Sequence, residues 1–303
     1  MIVVTGATGR TGRYVAESLL KRGEKVRAVG RDPKKLEALV GLGAEACVAC
    51  VDDLASVTKA FYGSIAVYLV LPEDLMQEDL RAHQERVSDC YAAALAKTEV
   101  PFAVNLSSIG AQHAEGTGLI VGLHNQEQKL NRVARLNVLH LRVAYFMENL
   151  FMNMAPIRET GTMPGGMRGD VAMPWIATKD IGSYATACLA ARDFHDSSVQ
   201  ELHGQRDLSM NEAASIVGQL IGKPDLSYVQ LPSSVLEAAL SNAGLPKKTA
   251  GLILEMWAGA NAGLISPKES RSAKNTTPTT LESFVAESFA PAYRQMTDTK
   301  PDS

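Results

Sequence analysis

Three glycines near the start of the chain have the spacing of a dinucleotide-binding loop. They follow a β-branched run at 2–5 and precede an apolar helical pattern at 10–22. Gly6 permits the tight turn out of a strand, Gly9 lets the backbone approach a pyrophosphate, and Gly12 lets the next helix pack close to the sheet. The amides and dipole at the start of that helix favour a bound phosphate. We therefore predict pyrophosphate contacts from this loop, namely Gly6, Thr8, Gly9, Arg10, Thr11 and Gly12.

Two basic residues after the second predicted strand indicate which dinucleotide binds. Arg31 lies 19 residues beyond Gly12, and Lys35 follows it. An acid at this place would bond the ribose 2′-hydroxyl of NAD, whereas an arginine accommodates the 2′-phosphate of NADP. Asp32 is adjacent, but Asp32-Pro33 has the pattern of a turn and helix start. We predict NADP(H), with Arg31 and Lys35 on the 2′-phosphate; the alternative is that both are part of a solvated face.

The elements that would position these residues alternate between strand and helix patterns. Strands are predicted at 2–5, 25–29, 46–50, 66–71, 101–106 and 138–142, with helices at 10–22, 33–41, 54–62, 77–97 and 122–135. This alternation indicates an α/β chain with a doubly wound parallel sheet, the NAD(P)-binding Rossmann fold.

After Arg142 the pattern changes to a region rich in Met, Gly and Pro. Beyond it we predict a helix at 179–192, a strand at 201–204, and helices near 209–222, 233–243, 246–262 and 280–296, the last beginning at a capping box over 279–282. The predicted division is a Rossmann domain at 1–150 that also takes in 179–203, a smaller, mainly helical C-terminal substrate lobe at 151–178 and 204–296, and a flexible tail at 297–303.

Composition excludes several classes of function. The chain has 303 residues, of which 46 % are hydrophobic and 21 % charged, and its net charge is −3. That charge argues against direct nucleic-acid binding, and no apolar run reaches the roughly 18 residues that a membrane span needs. Because the first predicted strand begins at residue 2, we expect no signal peptide and a cytoplasmic location.

The cysteines and histidines predict no metal site. Cys47 and Cys50 form a Cys-x-x-Cys within the predicted third strand, where residues three apart point to opposite faces. We therefore interpret them as structural cysteines of a reduced protein rather than as a redox or zinc pair. The histidines outside the site show no metal-ligand spacing; they are His83, His113, His140, His195 and His203.

Several motifs together resemble the NmrA-like family of atypical short-chain dehydrogenases/reductases, which includes type-2 quinone oxidoreductases, triphenylmethane reductase and redox-sensing regulators. The resemblance spans nearly the whole chain. The segments that carry it are the glycine loop at 5–12, the end of the second strand at 28–33, and the stretches at 66–72, 104–110, 137–149 and 176–182.

The resemblance implies where the adenosine half of the cofactor lies. Leu71 and Pro72, after the fourth strand, would flank the adenosine. The family usually has Gly-Asp-Leu after the third strand, with that Asp near the adenine, but Cys50 takes the Asp place here. The adenine contact then falls to backbone amides or to Asp52.

The resemblance also exposes a missing catalytic pair. Ordinary members of the wider group use Tyr-x-x-x-Lys to deliver a proton, but no Tyr lies between Ser108 and Arg142. Alignment with the family puts His124 at the Lys position and Ile120 at the Tyr position. We expect four residues around the nicotinamide, Ser107, His124, Tyr145 and Phe146, and take Ser107, His124 and Tyr145 as the catalytic candidates; the alternative for each is a structural role.

Two functions are compatible with this loss. The first is an NADPH-dependent oxidoreductase that transfers hydride to a small aromatic, quinone-like or other electron-poor conjugated acceptor, which needs no dedicated acid. The second is a non-catalytic NADP(H)-binding redox sensor that acts through a protein partner; a homodimer is compatible with both. A third hypothesis, an epimerase or dehydratase that acts on a nucleotide sugar, is the one least compatible with the missing Tyr.

A cluster of methionines bears on the acceptor. Six of the eleven fall within 27 residues and are Met147, Met152, Met154, Met163, Met167 and Met173. They would form either an adaptable wall for flat ligands or the packing of an irregular lobe interface. The predicted substrate contacts are Phe146, Met147, Asn149 and Trp175.

Overall fold

The computed structural model describes residues 1–298, with side chains up to 296. Its strands are β1 (Ile2–Val4), β2 (Val26–Gly30), β3 (Glu45–Val48), β4 (Ala66–Leu69), β5 (Phe102–Ser108), β6 (Asn137–Val143), β7 (Tyr145–Phe146), β8 (Thr162–Gly165), β9 (Met173–Ile176), β10 (Ser197–Leu202), β11 (Asp207–Leu208) and β12 (Ser227–Gln230). Seven of them form one parallel sheet in the order β10-β6-β5-β4-β1-β2-β3. This is the doubly wound Rossmann arrangement, in which the strand order reverses beside β1.

Twelve α-helices lie within residues 1–298, and some of them cover both faces of this sheet. They are α1 (Arg10–Lys21), α2 (Pro33–Gly41), α3 (Leu54–Phe61), α4 (Leu80–Thr98), α5 (Val121–Leu130), α6 (Met154–Thr160), α7 (Thr178–Ala191), α8 (Met210–Ile221), α9 (Ser233–Asn242), α10 (Lys247–Asn261), α11 (Leu281–Phe284) and α12 (Ala290–Asp298), with a π-helical turn at Val285–Phe289 between the last two. None of these helices is long and apolar enough to cross a membrane.

The sheet separates two hydrophobic cores. One packs α1, α2 and α7 against the sheet through buried residues such as Leu19, Leu36 and Ile181. The other packs α3, α4 and α5 through residues such as Phe61 and Tyr91. Strands buried on both faces explain the near-continuous apolar runs that the sequence shows at β1 and β4.

A third core belongs to a smaller lobe built largely from the second half of the chain. Trp175, Phe284 and Phe289 are buried in it, together with one face of α8. Two short sheets, β11-β9-β7 and β12-β8, support this lobe. β10 returns to the main sheet beside β6, and α7 packs against α1. These placements support the proposed inclusion of 179–203 in the Rossmann domain, whereas β7 and Leu150 pack with the smaller lobe.

Local differences from the sequence expectations have identifiable causes. β3 ends at Val48, so Cys50 lies outside the strand, where it is exposed and unpaired with Cys47. The short elements α6, β8 and β9 were missed because they are too short to show a periodicity. Of the tail predicted at 297–303, the backbone of the first two residues ends α12, and 299–303 lie outside the described residues.

The predicted capping box at the last helix was wrong. α11 is capped by Thr280, whose side chain accepts from the Ser283 amide, while the Thr279 hydroxyl donates to Asp180. A complete capping box forms instead at α8, between Ser209 and Glu212. Tertiary contacts of Thr279 therefore decided the outcome, and the local pattern did not.

A buried polar network fixes α5 to the sheet. The Asn105 amide nitrogen lies 3.0 Å from His140 Nδ1, and His140 Nε2 lies 2.8 Å from Asn131 Oδ1. Gln126 Nε2 donates to Asn105 Oδ1 at 2.6 Å and completes the chain of bonds. All three bonds can form together if His140 is neutral, accepts at Nδ1 and donates at Nε2. Burial lowers the pKa of His140 to about 4, so the ring stays neutral at ordinary pH.

This network predicts an acid-sensitive stability. Unfolded His140 takes up a proton near its ordinary pKa of 6.5, whereas folded His140 does so only near pH 4. Because the unfolded state binds more protons in this window, the free energy of unfolding should fall as pH drops from about 6.5 to about 4, by roughly 3 kcal/mol for this group. Urea unfolding at several pH values should show a shallower slope in His140→Gln. The exposed His195 provides the control, since His195→Gln should keep the wild-type slope; equal slopes in all three proteins would contradict this account.

Candidate functional site

The glycine loop leaves space only for hydrogen at its closest approach. A Cβ on Gly12 would lie 2.2 Å from the Gly6 carbonyl oxygen, and one on Gly9 would lie 3.2 Å from the same atom. Gly6 itself has a φ of +58°, which glycine adopts without strain. α1 therefore starts directly against the turn that leaves β1.

The start of α1 offers free backbone donors. Gly9 is the N-cap, and no side chain caps the first turn. The first amides of a helix have no intrahelical partner, so they are available to an anion. A glycine cradle with uncapped amides fits the pyrophosphate of a dinucleotide, and the predicted loop residues would hold it there.

A buried threonine locks the strand that carries the loop. The Thr5 hydroxyl donates to the Tyr68 carbonyl at 3.0 Å and accepts from the Val70 amide at 2.9 Å. These two bonds join the carboxyl end of β1 to that of β4. The loop after β1 and the segment after β4, which contains Pro72, therefore keep a fixed spacing.

The residues predicted for the 2′-phosphate lie beyond β2. The Asp32 side chain accepts from the Lys34 amide at 2.9 Å and caps α2, so Asp32 serves the helix, as its pairing with Pro33 suggested. Arg31 and Lys35 are exposed. Arg31 has one ion-pair contact, 3.5 Å to Asp74, and its guanidinium is open to a further anion.

On the adenosine side, the Asp52 carboxylate is already engaged. It accepts from the Cys50 thiol at 2.7 Å and lies 3.7 Å from His83 Nδ1. The thiol contact lowers the pKa of Asp52, and the same contact raises the pKa of Cys50, which keeps the thiol protonated. Cys50 is thus neither a buried structural cysteine nor half of a redox pair. Leu71 is buried in the core, which leaves Pro72 as the nearer candidate for an adenosine contact.

Tyr145 is one of the residues expected beside the nicotinamide, and the space between its segment and the glycine loop is the candidate cleft. Its ring meets Trp175 edge-on at a centroid distance of 4.8 Å. Burial raises the pKa of Tyr145 to about 12, so the phenol stays protonated at ordinary pH. Trp175 is fully buried and donates from Nε1 to the Leu208 carbonyl at 2.9 Å. This burial argues against the predicted contact of Trp175 with substrate and indicates that the indole packs against Tyr145 instead.

Arg10 links the glycine loop to the segment after β6. Its guanidinium Nη1 donates to Asn149 Oδ1 at 3.1 Å. Asn149 belongs to the 3₁₀ turn at Met147–Asn153, close to Tyr145, and its amide lowers the pKa of that phenol against the larger effect of burial. The structure thus brings Arg10 close to Tyr145 and Asn149, both of which lie far from it in the sequence.

The structure places Ser107 in the buried interior. Its hydroxyl donates to Glu127 Oε1 at 2.5 Å, and both residues are buried. Arg142 binds the same carboxylate through two nitrogens, at 3.0 and 2.6 Å. Because Glu127 is also paired with Arg142, its bond to the Ser107 hydroxyl helps to hold α5 against β5 and β6. This placement argues against the catalytic role predicted for Ser107.

His124 is oriented by one backbone bond. Its Nδ1 lies 2.8 Å from the Ala111 carbonyl oxygen, so this nitrogen carries the proton and donates. In the neutral ring Nε2 is then an acceptor, and no hydrogen bond to it is found among the side chains of residues 1–296 or the described backbone. This geometry suits a bond from a ribose hydroxyl to Nε2.

The methionine cluster is mostly core. Met147 and Met163 are each 1 % exposed, and Met154, Met167 and Met173 pack against the same lobe core, whereas Met152 is on the surface. This result favours lobe packing over an open methionine wall, and it removes Met147 as a direct substrate contact. Phe146 stays half-buried against the sheet core. Among residues 1–296, no group of three or more His, Cys, Asp or Glu side chains could hold a metal ion.

Solved structures share this architecture. Quinone oxidoreductase 2 from Escherichia coli, in a complex with NADPH, superposes with a TM-score of 0.80 and 26 % identity over 95 % of this chain and 100 % of that chain. The triphenylmethane reductase of a Citrobacter species, in a complex with NADP(H), superposes with a TM-score of 0.75 and 20 % identity over 94 % of this chain and 99 % of that chain, which shows a common fold.

Curated relatives match over most of their length. The Escherichia coli protein named quinone oxidoreductase 2 is 29 % identical over 269 residues, which cover 87 % of this chain and 89 % of that protein. A Streptomyces griseus protein named (4-alkanoyl-5-oxo-2,5-dihydrofuran-3-yl)methyl phosphate reductase is 27 % identical over 296 residues, which cover 96 % of this chain and all of that protein. The model of the NmrA-like family matches residues 1–285, and this chain belongs to that family.

Proposed function

We propose that this chain is an NADPH-dependent oxidoreductase that transfers hydride to quinone-like or other electron-poor conjugated acceptors. The observation that carries the proposal is the glycine cradle at the uncapped start of α1, with the open Arg31 guanidinium beyond β2. Two relatives with the same fold were solved with NADPH or NADP(H), and two curated relatives are named as reductases or oxidoreductases.

Each part of the cofactor has candidate partners in the chain. The α1 amides would hold the pyrophosphate, Arg31 and Lys35 the 2′-phosphate, and His124 Nε2 a hydroxyl of the nicotinamide ribose. NADPH, when bound, supplies the hydride. The chain's own contribution is to orient the reacting ring beside Tyr145 and to keep water from it with the lobe that carries Asn149.

The scarcity of proton donors restricts the acceptor. The Tyr-x-x-x-Lys pair is missing, and Ser107 is committed to Glu127. Tyr145 is a weak acid because burial raises its pKa to about 12. Such a site suits acceptors whose reduced form bears a delocalised charge and takes its proton from water. Quinones meet this condition, whereas isolated ketones need an acid in the same step.

The 2′-phosphate assignment predicts a selective loss in Arg31→Ala. Removing the guanidinium takes away a charge-assisted bond to the phosphate, which should weaken NADPH binding by roughly tenfold and leave NADH binding almost unchanged. Calorimetric titration of both dinucleotides measures the difference. Arg13→Ala is the matched control, because it removes an exposed arginine of α1 that pairs with Glu17 instead; equal losses for NADPH and NADH in Arg31→Ala would refute the assignment.

The glycine cradle predicts that Gly12→Ala abolishes turnover by preventing cofactor binding. The new Cβ would lie 2.2 Å from the Gly6 carbonyl oxygen, so α1 must move away from the turn. NADPH oxidation with a panel of quinones, followed by absorbance, should be rapid in the wild type and absent in the variant. Gly41→Ala is the control, since nothing lies within 4 Å of its Cβ position. Tight NADPH binding by the wild type without any oxidation would instead support a redox sensor.

His124→Ala should lower kcat while leaving the fold intact. If Nε2 bonds the nicotinamide ribose, losing that bond misorients the ring and slows hydride transfer by about tenfold. His124→Gln, which keeps a side chain able to hydrogen-bond, should recover part of the rate. Steady-state kinetics of both variants provide the measurement, and an unaltered kcat in His124→Ala would return this residue to a structural role.

A further inference from the structure

Among the described side chains, the positive charge of Arg10 has no acidic partner. Arg10 is exposed, and its guanidinium reaches across to Asn149 Oδ1 at 3.1 Å. No carboxylate lies within 4.0 Å of it among the side chains described, whereas Arg13, one turn along the same helix, pairs with Glu17 at 2.7 Å. A guanidinium has five N–H donors, so its one bond to a neutral amide leaves most of its capacity and its whole charge free.

The positive charge of Arg10 affects the pKa of two neighbouring groups. Burial raises the pKa of Tyr145, and the Arg10 charge opposes that rise. Glu73 retains an exposed surface, yet surrounding protein atoms raise the pKa of its carboxyl, and Arg10 again opposes the rise. At both residues Arg10 thus favours the negative form of a neighbouring group. Its side chain thus reaches Asn149, one of the residues after β6.

We propose that Arg10 is a specificity-determining residue that favours acceptors whose oxygen becomes negative on reduction and disfavours cationic acceptors. This inference rests on the proposed reductase function and narrows its substrate class. It also assigns the Arg10 side chain to the acceptor rather than to the pyrophosphate, which the α1 amides can hold without it.

The chemistry of the two acceptor classes differs in charge. A quinone that receives a hydride gains a bond to hydrogen and an electron pair, which leaves a hydroquinone anion, and water then supplies one proton. A cationic triphenylmethane dye that receives a hydride at its central carbon becomes neutral and takes no proton. In both cases NADPH gives up two electrons with the hydride and is thereby oxidised to NADP⁺. A fixed guanidinium stabilises the charge that forms in the first case and repels the charge present in the second.

The test is Arg10→Gln, which keeps a hydrogen-bonding side chain but removes the charge. We expect kcat/KM for a neutral benzoquinone to fall about tenfold, less than the roughly 100-fold effect of a buried oxyanion donor, because Arg10 is exposed. The inhibition constant of a cationic triphenylmethane dye against the quinone should tighten several-fold. Arg10→Lys, which restores the positive charge, should recover most of both changes relative to Arg10→Gln. Arg13→Gln, which removes one charge from the same helix, should change neither.

NADPH affinity, measured by cofactor fluorescence, separates the alternatives. A loss of NADPH binding in Arg10→Gln with equal effects on quinone and dye would show that Arg10 clamps the cofactor and would overturn the proposal. Unchanged quinone kinetics or unchanged dye inhibition would overturn it as well. If the wild type reduces no acceptor, both the reductase function and this inference are wrong. If the wild type is active but Arg10→Gln changes quinone kinetics and dye inhibition equally, only this inference is wrong.

Discussion

The contact between Gly12 and the Gly6 carbonyl is the constraint on which the rest of the site depends. At 2.2 Å from a hypothetical Cβ, the approach allows only a hydrogen on Gly12, so α1 begins immediately above the turn out of β1. That position aims the uncapped amides of the first turn at the carboxyl edge of the sheet. It also carries Arg10, the first residue of α1, to within reach of Asn149. The close approach of Gly12 to Gly6 thus positions both the free amides of α1 and the Arg10 side chain.

Buried polar bonds hold the opposite wall of the cleft. The chain from Gln126 through Asn105 to His140, and the pairing of Glu127 with Arg142, attach α5 to β5 and β6 from two sides. A buried carboxylate or imidazole is costly unless its partners are complete, so these bonds leave α5 little freedom to shift. His124 projects from the same helix, and its bond to Ala111 sets the ring. The wall is rigid where the nicotinamide would lie.

The sequence was sufficient for features that depend on neighbours along the chain. The alternation of strands and helices, the glycine loop and the Asp32 cap are all local patterns, and the structure has them. It was insufficient where a partner from a distant element decides the role of a side chain. The Ser107 hydroxyl donates to Glu127 and the Trp175 indole donates to the Leu208 carbonyl, although the sequence had predicted ligand contacts for both residues. The reach of Arg10 to Asn149 spans 139 residues and has no local signal.

Direct hydride transfer at the cleft between Tyr145 and His124 is the central claim. The most direct measurement is a single-turnover reaction of the wild-type protein with NADPH carrying deuterium at the transferred position of C4 and a neutral quinone. We predict one NADP⁺ per active site, a clear primary isotope effect on the observed rate, and hydroquinone as the product. Equal rates with labelled and unlabelled NADPH, or no oxidation of bound NADPH, would contradict the account.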